Sequence, residues 1–577
     1  MVIPLLKQNV KLEYDIKGEC QKGIVMEIKI RKELRGEFDT IEINKGMAIE
    51  ELVLKYAGEL PYTVVAAKKD NDLVDLTETI DNPCIIEFLD IRTQAANLIY
   101  QYSLSLIYLK AVKDILGDVN VDIQNSLSKG LYTTIACDTV LTDKQVADVE
   151  NRMRDIVEAD LPFVKEEVSV SEAERRFIEL DQPEKLALLH KKADKVRFYS
   201  LEGYSNFFYG LMVPSTRYIR HFELKKYRRG VIVRFPHPTM PDVIPEYKEE
   251  AKLYDAFGEA TVRGRIMGVS FVSDLNRKVE NGEYKELIQL SEALHEKKIA
   301  EIADMITRRK KRIVLIAGPS SSGKTTFARR LCIQLKVNGL NPLYLGTDDY
   351  FVERTNTPLD EYGEHDYENL GAVDIELFNS NMNDLLAGRE VDLPEFDFME
   401  GKKTFGKRIT KIKQTQPIVI EGIHALNGDL TPYIDDGEKF RIYISPFTQL
   451  NIDRHNRIPT TDARMLRRMV RDYQYRGHSA QSTISSWPKV RAGEDKNIFP
   501  YNDQADVLFN SVHIYELAVL KKYAEPLLKD IKEDEPEYCE AVRMLKFLRF
   551  FRTIEDDSII VNNSIIREFI GGSIFVD

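Results

Sequence analysis

The stretch IAGPSSSGKTT at 316–326 sets Gly318 and Gly323 at GxxxxGK[ST] spacing ahead of Lys324 and Thr325. Glycines at those places let the backbone curl so that its amides face an anion. The lysine then reaches β- and γ-phosphates, and the threonine hydroxyl is placed for Mg²⁺. Ser320, Ser321, Ser322 and Thr326 complete the candidate cofactor-binding set of a loop that would cradle ATP. Further on, TDDYFVER brings Asp348 and Asp349 together. A carboxylate within reach of an attacking hydroxyl takes its proton, and a neighbour can hold Mg²⁺ through water, so either aspartate could be the base of a phosphoryl transfer. Arg464, Arg467, Arg468 and Arg471 fall at i, i+3, i+4 and i+7, with Arg476 just beyond. That spacing is one face of a helix, and closure could bring its planar guanidiniums onto transferring phosphate oxygens.

These groups need elements to position them. RIVLIAG reads as a buried strand and TTFARRLCIQLKVNG as a helix closed by Gly339, so the glycine-rich turn sits between strand and helix. NPLYLG is a second strand, which puts the aspartates at its C-terminal end, the edge where ligands bind in open α/β sheets. The expected fold of residues 306–530 is therefore an α/β P-loop domain, a parallel sheet with flanking helices.

At 577 residues the chain is too long for one core. GIVMEIKI, FDTIEI, YTVVAAKK and CIIEFLDI alternate as strands around a short helix, a small β-grasp-like pattern within residues 1–92, which also hold an N-terminal extension. Residues 241–305 read as a helical connector, and RRKKR just beyond it at 308–312 reads as a solvated helix end. Residues 531–577 read as a C-terminal docking tail with a strand-like SIIV.

Several motifs carry resemblances to known families. TDDYF resembles the QDSFY element of the uridine kinase and phosphoribulokinase family. DYENLGAVD, LPEFDF, PIVIEGIHAL, RMLRRMVRDYQYRG and PYNDQADVLFNS follow in that family's order. The resemblance implies a Mg²⁺- and ATP-dependent kinase of the uridine kinase type, acting on a hydroxyl of a nucleoside or similar polyol. It makes Asp348 the general base, catalytic with Lys324, Arg467 and Arg471, and places Thr325, Glu421 and Asp348 at the metal. It assigns Asp349, Tyr350, Glu368, Phe396, Arg464, Arg468 and Arg476 to the substrate, with the arginine helix in a lid. The departures fall where a base would be read: the family's tyrosine and histidine contacts are Phe396 and about Gly401 here. Pyrimidine specificity does not carry over with the chemistry. The segment HSAQSTISSWPKVRAGEDKNIFP, with the single tryptophan Trp487, either builds a new acceptor wall or anchors core.

YTVVAAKKDNDLVDLTETI resembles the TGS domain at the front of threonyl-tRNA synthetases. Residues 93–240 resemble the α+β editing module that follows it. That module's two histidines, cysteine and third histidine are Tyr102, Leu106, Phe208 and Met212 here, so the resemblance implies a scaffold without metal-binding or editing groups.

The net charge of −12 argues against a surface that tracks nucleic acid. Five cysteines without a CxxC pair suggest neither a disulfide framework nor a zinc ribbon. The N-terminal MVIPLLKQNVKLEYD is too short an apolar run for a signal peptide, and no stretch has membrane-helix length, so a cytoplasmic protein is expected. Two other readings stay open: a kinase for a non-nucleoside alcohol or sugar phosphate, and a tRNA- or ribosome-associated regulator driven by nucleotide. Salt-dependent tRNA binding would favour the second.

Overall fold

Ile313–Ala317 is buried at every position, the pattern of a strand covered on both faces of a parallel sheet. It is the middle of five strands ordered Leu343–Gly346, Ile418–Glu421, Ile313–Ala317, Lys439–Ser445 and Val507–Asn510, each pair of neighbours parallel. The strand order reverses at Ile313–Ala317, and the crevice such a reversal opens lies at the strands' C-terminal ends. The computed structural model describes residues 24–576 apart from 138, 190–194, 361–362 and 449. The N-terminal extension with its apolar run and Cys20 lies outside the described residues.

Helices cover both faces of this sheet. The helix Lys324–Val337 packs Phe327, Leu331 and Leu335 against Val314 and Ile316, and Ile299, Ile302 and Ile306 join the same core. Those isoleucines belong to the helix Tyr284–Arg308, which follows Ala251–Ile266 and Val272–Glu280. The stretch expected as a connector thus supplies a layer of the α/β unit, because its apolar residues repeat at helical spacing toward the sheet. Its basic end is tied down: Arg309 pairs with Asp506 at 3.2 Å, and Lys311 donates to the Gly437 carbonyl at 2.5 Å. On the other face Phe378, Met382 and Leu385 of the helix Ile375–Leu386 meet Leu315 and Ile420.

The front half contains a five-stranded sheet in the order Asp39–Asn44, Val25–Arg31, Ile85–Asp90, Val64–Lys69, Asp72–Val74. Its buried face shares one continuous core with the helix Gln94–Leu116 and with the sheet Glu223–Tyr227, Gly230–Arg234, Gly130–Ile135, Val121–Leu127. Gln94–Leu116 is buried nearly all round, which is why it lacks a polar face. Among the described residues no helix is long and apolar enough to cross a membrane.

The C-terminal stretch differs from expectation. SIIV at 558–561 forms a turn rather than a strand. The segment beyond it packs into the α/β unit, with Ile565 and Phe569 in the core beside Ile316 and Phe327, and Ile560, Ile566 and Ile570 against the arginine-bearing helix Thr460–Arg476. This stretch therefore completes a core. Ile565→Ala and Phe569→Ala should each cost about 2–5 kcal/mol of stability. Val561→Ala, 47% exposed, should change it by less than ~0.5 kcal/mol. Thermal unfolding checks this, and an unchanged midpoint in both core variants would remove the segment from the core.

Candidate active site

The loop between Ile313–Ala317 and Lys324–Val337 turns through left-handed backbone at Ser321 (φ 59°) and Gly323 (φ 81°). A Cβ at Gly318 would lie 2.0 Å from the Ile444 carbonyl oxygen, and one at Gly323 would lie 2.5 Å from Ile565. Only glycine allows both approaches. Lys324 Nζ folds back over the loop and donates to the carbonyls of Gly318 at 2.9 Å and Pro319 at 3.2 Å. Thr325 Oγ1 donates to Glu421 Oε1 at 2.9 Å, and the same oxygen accepts from the Tyr344 hydroxyl at 2.8 Å.

Sheet register gathers the acidic groups. Glu421 ends its strand level with Gly346 on one side and Ile316 on the other, so it stands between the loop and the turn Thr347–Tyr350 that carries Asp348. Asp348 is open to solvent, yet the protein wall around it raises its carboxyl above the ordinary aspartate value, while Lys324 pulls it back down. Glu421 is raised by burial and lowered again by Lys324 and its two hydroxyl donors. Glu368 is raised by burial and by the nearby Glu494, with Lys324 and Arg468 opposing. Burial lowers the Lys324 ammonium, and Glu421, Glu568, Asp348 and Glu368 act against that shift. One lysine and several carboxylates thus face a common cleft.

The four arginines do not share one role. Arg464 and Arg467 are 2% and 0% exposed, sunk behind the loop. Arg464 pairs with the buried Glu494 and donates through Nε to the Ser320 carbonyl at 3.1 Å. Arg467 grips Glu516 through two nitrogens, at 3.0 and 2.6 Å, and reaches the Ser321 carbonyl at 3.3 Å. The expectation that Arg467 is catalytic and Arg464 binds substrate is corrected: both are committed to buried carboxylates and to the loop's carbonyl side. Arg468, Arg471 and Arg476 converge on the buried Asp472, at 3.2, 2.8 and 3.5 Å. Arg468 also donates to the Ser320 hydroxyl at 2.9 Å, and Arg476 lies close enough to Asp348 to feel its charge. These three remain at the cleft.

The remaining expected residues separate in the same way. Tyr350 is fully buried, its hydroxyl 3.3 Å from Asn381 Nδ2 and its ring edge-on to Phe378, so it is a core residue and the substrate assignment is corrected. Asp349 pairs with Arg408 at 2.7 Å. Phe396 stacks edge-on with Phe351 and Phe398 at 5.7 and 5.2 Å, an aromatic wall next to the aspartates. Trp487 is buried at 5% exposure with Arg464 over its ring, an anchor for the helix Ala480–Asn497. That helix still lines the cleft, since a Cβ on Gly493 would sit 3.2 Å from the Glu368 Cβ. Ser321 and Ser322 are buried.

Sequence spacing did not point to Tyr344, Asp472, Glu494, Glu516 or Glu568. Tyr344, Asp472 and Glu494 lie inside stretches that draw notice for other residues, whereas nothing around Glu516 marks it. In the front half Tyr102, Leu106, Phe208 and Met212 are all buried. Tyr102 packs on Phe208 and Tyr209 at 5.9 and 5.4 Å, and a Cβ on Gly210 would strike its ring at 2.3 Å. Aromatic side chains fill that space.

A family profile described as the phosphoribulokinase/uridine kinase family matches residues 313–518. The uridine kinase of Ligilactobacillus salivarius (strain UCC118) is 29% identical over 206 residues, 35% of this chain and 87% of that one. The uridine kinase of Staphylococcus aureus (strain JH9) is 30% identical over 197 residues, 34% of this chain and 86% of that one. The threonine–tRNA ligase of Symbiobacterium thermophilum is 28% identical over 185 residues, 32% of this chain, and this chain spans only 28% of that ligase's length.

The two arginine classes should behave differently on truncation. Arg467→Ala leaves Glu516 buried without its partner and should cost about 3–5 kcal/mol. Arg471→Ala leaves the buried Asp472 with Arg468 and Arg476, and should cost less, about 1–2 kcal/mol. Denaturant unfolding of both variants measures the difference; equal losses would sink the division.

Proposed function

The chain belongs to the phosphoribulokinase/uridine kinase family, and from that premise we propose that it is a kinase transferring the γ-phosphoryl group of ATP to a hydroxyl of a nucleoside or similar small polyol. The observation that carries this reading is the meeting of the loop, Lys324, Asp348 and Glu421 at one edge of a parallel sheet.

The donor's phosphates are read as lying along the loop amides, with Lys324 released from the Gly318 and Pro319 carbonyls to reach them. Thr325 and Glu421 suit Mg²⁺: a hydroxyl and a half-buried carboxylate oxygen already meet at 2.9 Å. Mg²⁺ takes most of its ligands from phosphates and water, so few protein oxygens suffice, with Asp348 the nearest further candidate. Bound there, the metal supplies charge neutralisation of the phosphate oxygens. Asp348 accepts the proton of the attacking hydroxyl, and Glu368 holds a neighbouring hydroxyl of the acceptor. Arg468, Arg471 and Arg476, held together by Asp472, offset charge on the transferring group. Most of the rate enhancement is then positioning and electrostatics.

The acceptor wall supports recognition by rings rather than by a base edge. Phe351, Phe396 and Phe398 form it. Gly401 has φ 70°, and a Cβ there would press to 2.8 Å from Arg354, so no side chain replaces the family's histidine at that place. The loss of polar base contacts also favours a second reading, a polyol without a pyrimidine. The front half is proposed to be a TGS-like module followed by an editing-like scaffold whose chemical groups have become apolar.

Asp348→Asn should lower turnover about 10²–10⁴-fold with folding intact. ATP-dependent phosphorylation across nucleosides, sugars, sugar phosphates and small alcohols tests the class. No product from any acceptor, with ATP still bound, would move the reading to a nucleotide-driven regulator. The pH profile follows from the raised Asp348 carboxyl. Only its ionised form is a base, so activity should fall as pH drops through a value above the ordinary ~3.9 of aspartate. An acid limb of kcat/KM at or below about pH 4 would contradict the role.

A further inference from the structure

The donor cradle already holds an anion that the chain itself supplies. Glu568 is 6% exposed, and its Oε2 accepts from the backbone N–H of Thr326 at 3.2 Å and from the Thr326 hydroxyl at 2.7 Å. Thr326 is the third residue of the helix Lys324–Val337, so its N–H is among those with no partner inside the helix. It also belongs to the set of amides that a glycine-rich loop and its helix turn toward phosphates. A helix amide aligned with one acceptor has nothing left for a second.

Anchors on both sides carry Glu568 to this place. Ile565 and Phe569 are fully buried against the loop helix, and Ile565 fills the space over Gly323. The Phe569 ring lies 4.9 Å from the Arg467 guanidinium that holds the loop from behind. Arg567 ties the same short helix, Arg567–Ile570, to the carbonyls of Asp557 and Ile560 at 2.8 and 2.9 Å. The backbone is fixed by apolar contacts that a nucleotide has no reason to break. The carboxylate is the part of this helix that meets polar groups of the loop helix.

We propose, resting on the donor site assigned above, that Glu568 is a tethered competitor of the donor's phosphates. ATP binding requires its carboxylate to give up Thr326, and the C-terminal segment thereby sets donor affinity. Glu568 also places a second negative charge near Lys324 beside Glu421, so the lysine is partly neutralised when no donor is bound. A phosphate chain that displaces the carboxylate takes over both the amide and the lysine.

Calorimetric binding of ATP and of tripolyphosphate to the full chain tests this, with Glu568→Ala, Glu568→Gln and Lys324→Ala alongside. Hydrogen bonds to a charged group are worth enough that Glu568→Ala should bind both ligands about tenfold more tightly or better. Glu568→Gln, which keeps the shape and drops the charge, should gain in the same direction and decides the matter if the alanine variant does not fold. Equal or weaker affinity in the variants, while the unmutated chain binds and Lys324→Ala does not, overturns the proposal and leaves Glu568 a helix cap. No ATP binding by any form removes the donor site itself, and the proposal with it.

Discussion

A glycine-rich loop can aim its amides at an anion only if its carbonyls point the other way and find donors there. In this chain the donors are two buried guanidiniums, Arg464 on Ser320 and Arg467 on Ser321. Each is neutralised by a carboxylate, Glu494 or Glu516, that is itself about 1% exposed. In a low-dielectric interior such pairs are costly to break, because removing one partner strands the other's charge. The shape of the loop therefore depends on helices that begin well over a hundred residues later in the chain. Glu494 also accepts from the Ser320 N–H at 3.0 Å, and Gly493, the residue before it, packs against Glu368. Loop geometry and cleft wall are thus set by the same helix.

In front of the loop the balance of charge is acidic. Asp348, Glu368 and Glu421 surround one lysine, and burial raises the first two and the third alike. An anionic donor entering this cleft meets repulsion unless cations accompany it. Arg468, Arg471 and Arg476 supply positive charge gathered by a single aspartate, with Arg476 still about half exposed. A divalent cation between Thr325 and Glu421 would supply the remainder. The proposed roles of these acidic residues in proton transfer and metal binding would thus make the arginine cluster a requirement.

Much of this was legible from spacing. Gly318, Gly323, Lys324 and Thr325 form a pattern whose geometry admits few other uses, and strand and helix stand on its two sides as the apolar runs require. Asp348 was readable because a parallel sheet gathers its strands' C-terminal ends, and Glu421 because PIVIEGIHAL resembles a motif of the kinase family. The arginines were not separable in this way. A face at i, i+3, i+4 and i+7 looks the same whether it meets solvent or carboxylates, and the carboxylates lie far off in sequence, 30 residues away for Glu494 and 49 for Glu516. Tyr350 misled for a related reason. Asp348, two residues before it, faces the cleft, but in the 3-10 turn Thr347–Tyr350 residues three apart share a face, so Tyr350 is buried with Thr347. The C-terminal segment carried no motif, since Ile565 and Phe569 are informative only once the helix they cover is in place.

The front half is bound to the α/β unit by contacts unlike those of a loosely tethered module. Asn451 donates to the Ile123 and Gln124 carbonyls at 3.0 and 3.1 Å, and Arg454 pairs with Asp122 at 3.0 Å. Lys185, fully buried, donates to Asn206 at 2.5 Å and meets His455 at 2.9 Å. The C-terminal stretch touches both halves. Lys68 and Asn71 of the first sheet donate to the carbonyls of Pro536 and Glu533, Phe550 packs edge-on to Tyr209 at 5.7 Å, and Glu568 ends at the loop. Tyr209 in turn rests on Tyr102. One stretch of chain thus runs in continuous contact from the aromatic-filled cleft to the phosphate cradle. Contiguity alone carries no coupling energy; an element with two arrangements does. Under the proposal above Glu568 is such an element, bonded to Thr326 when no donor is bound and displaced when one is.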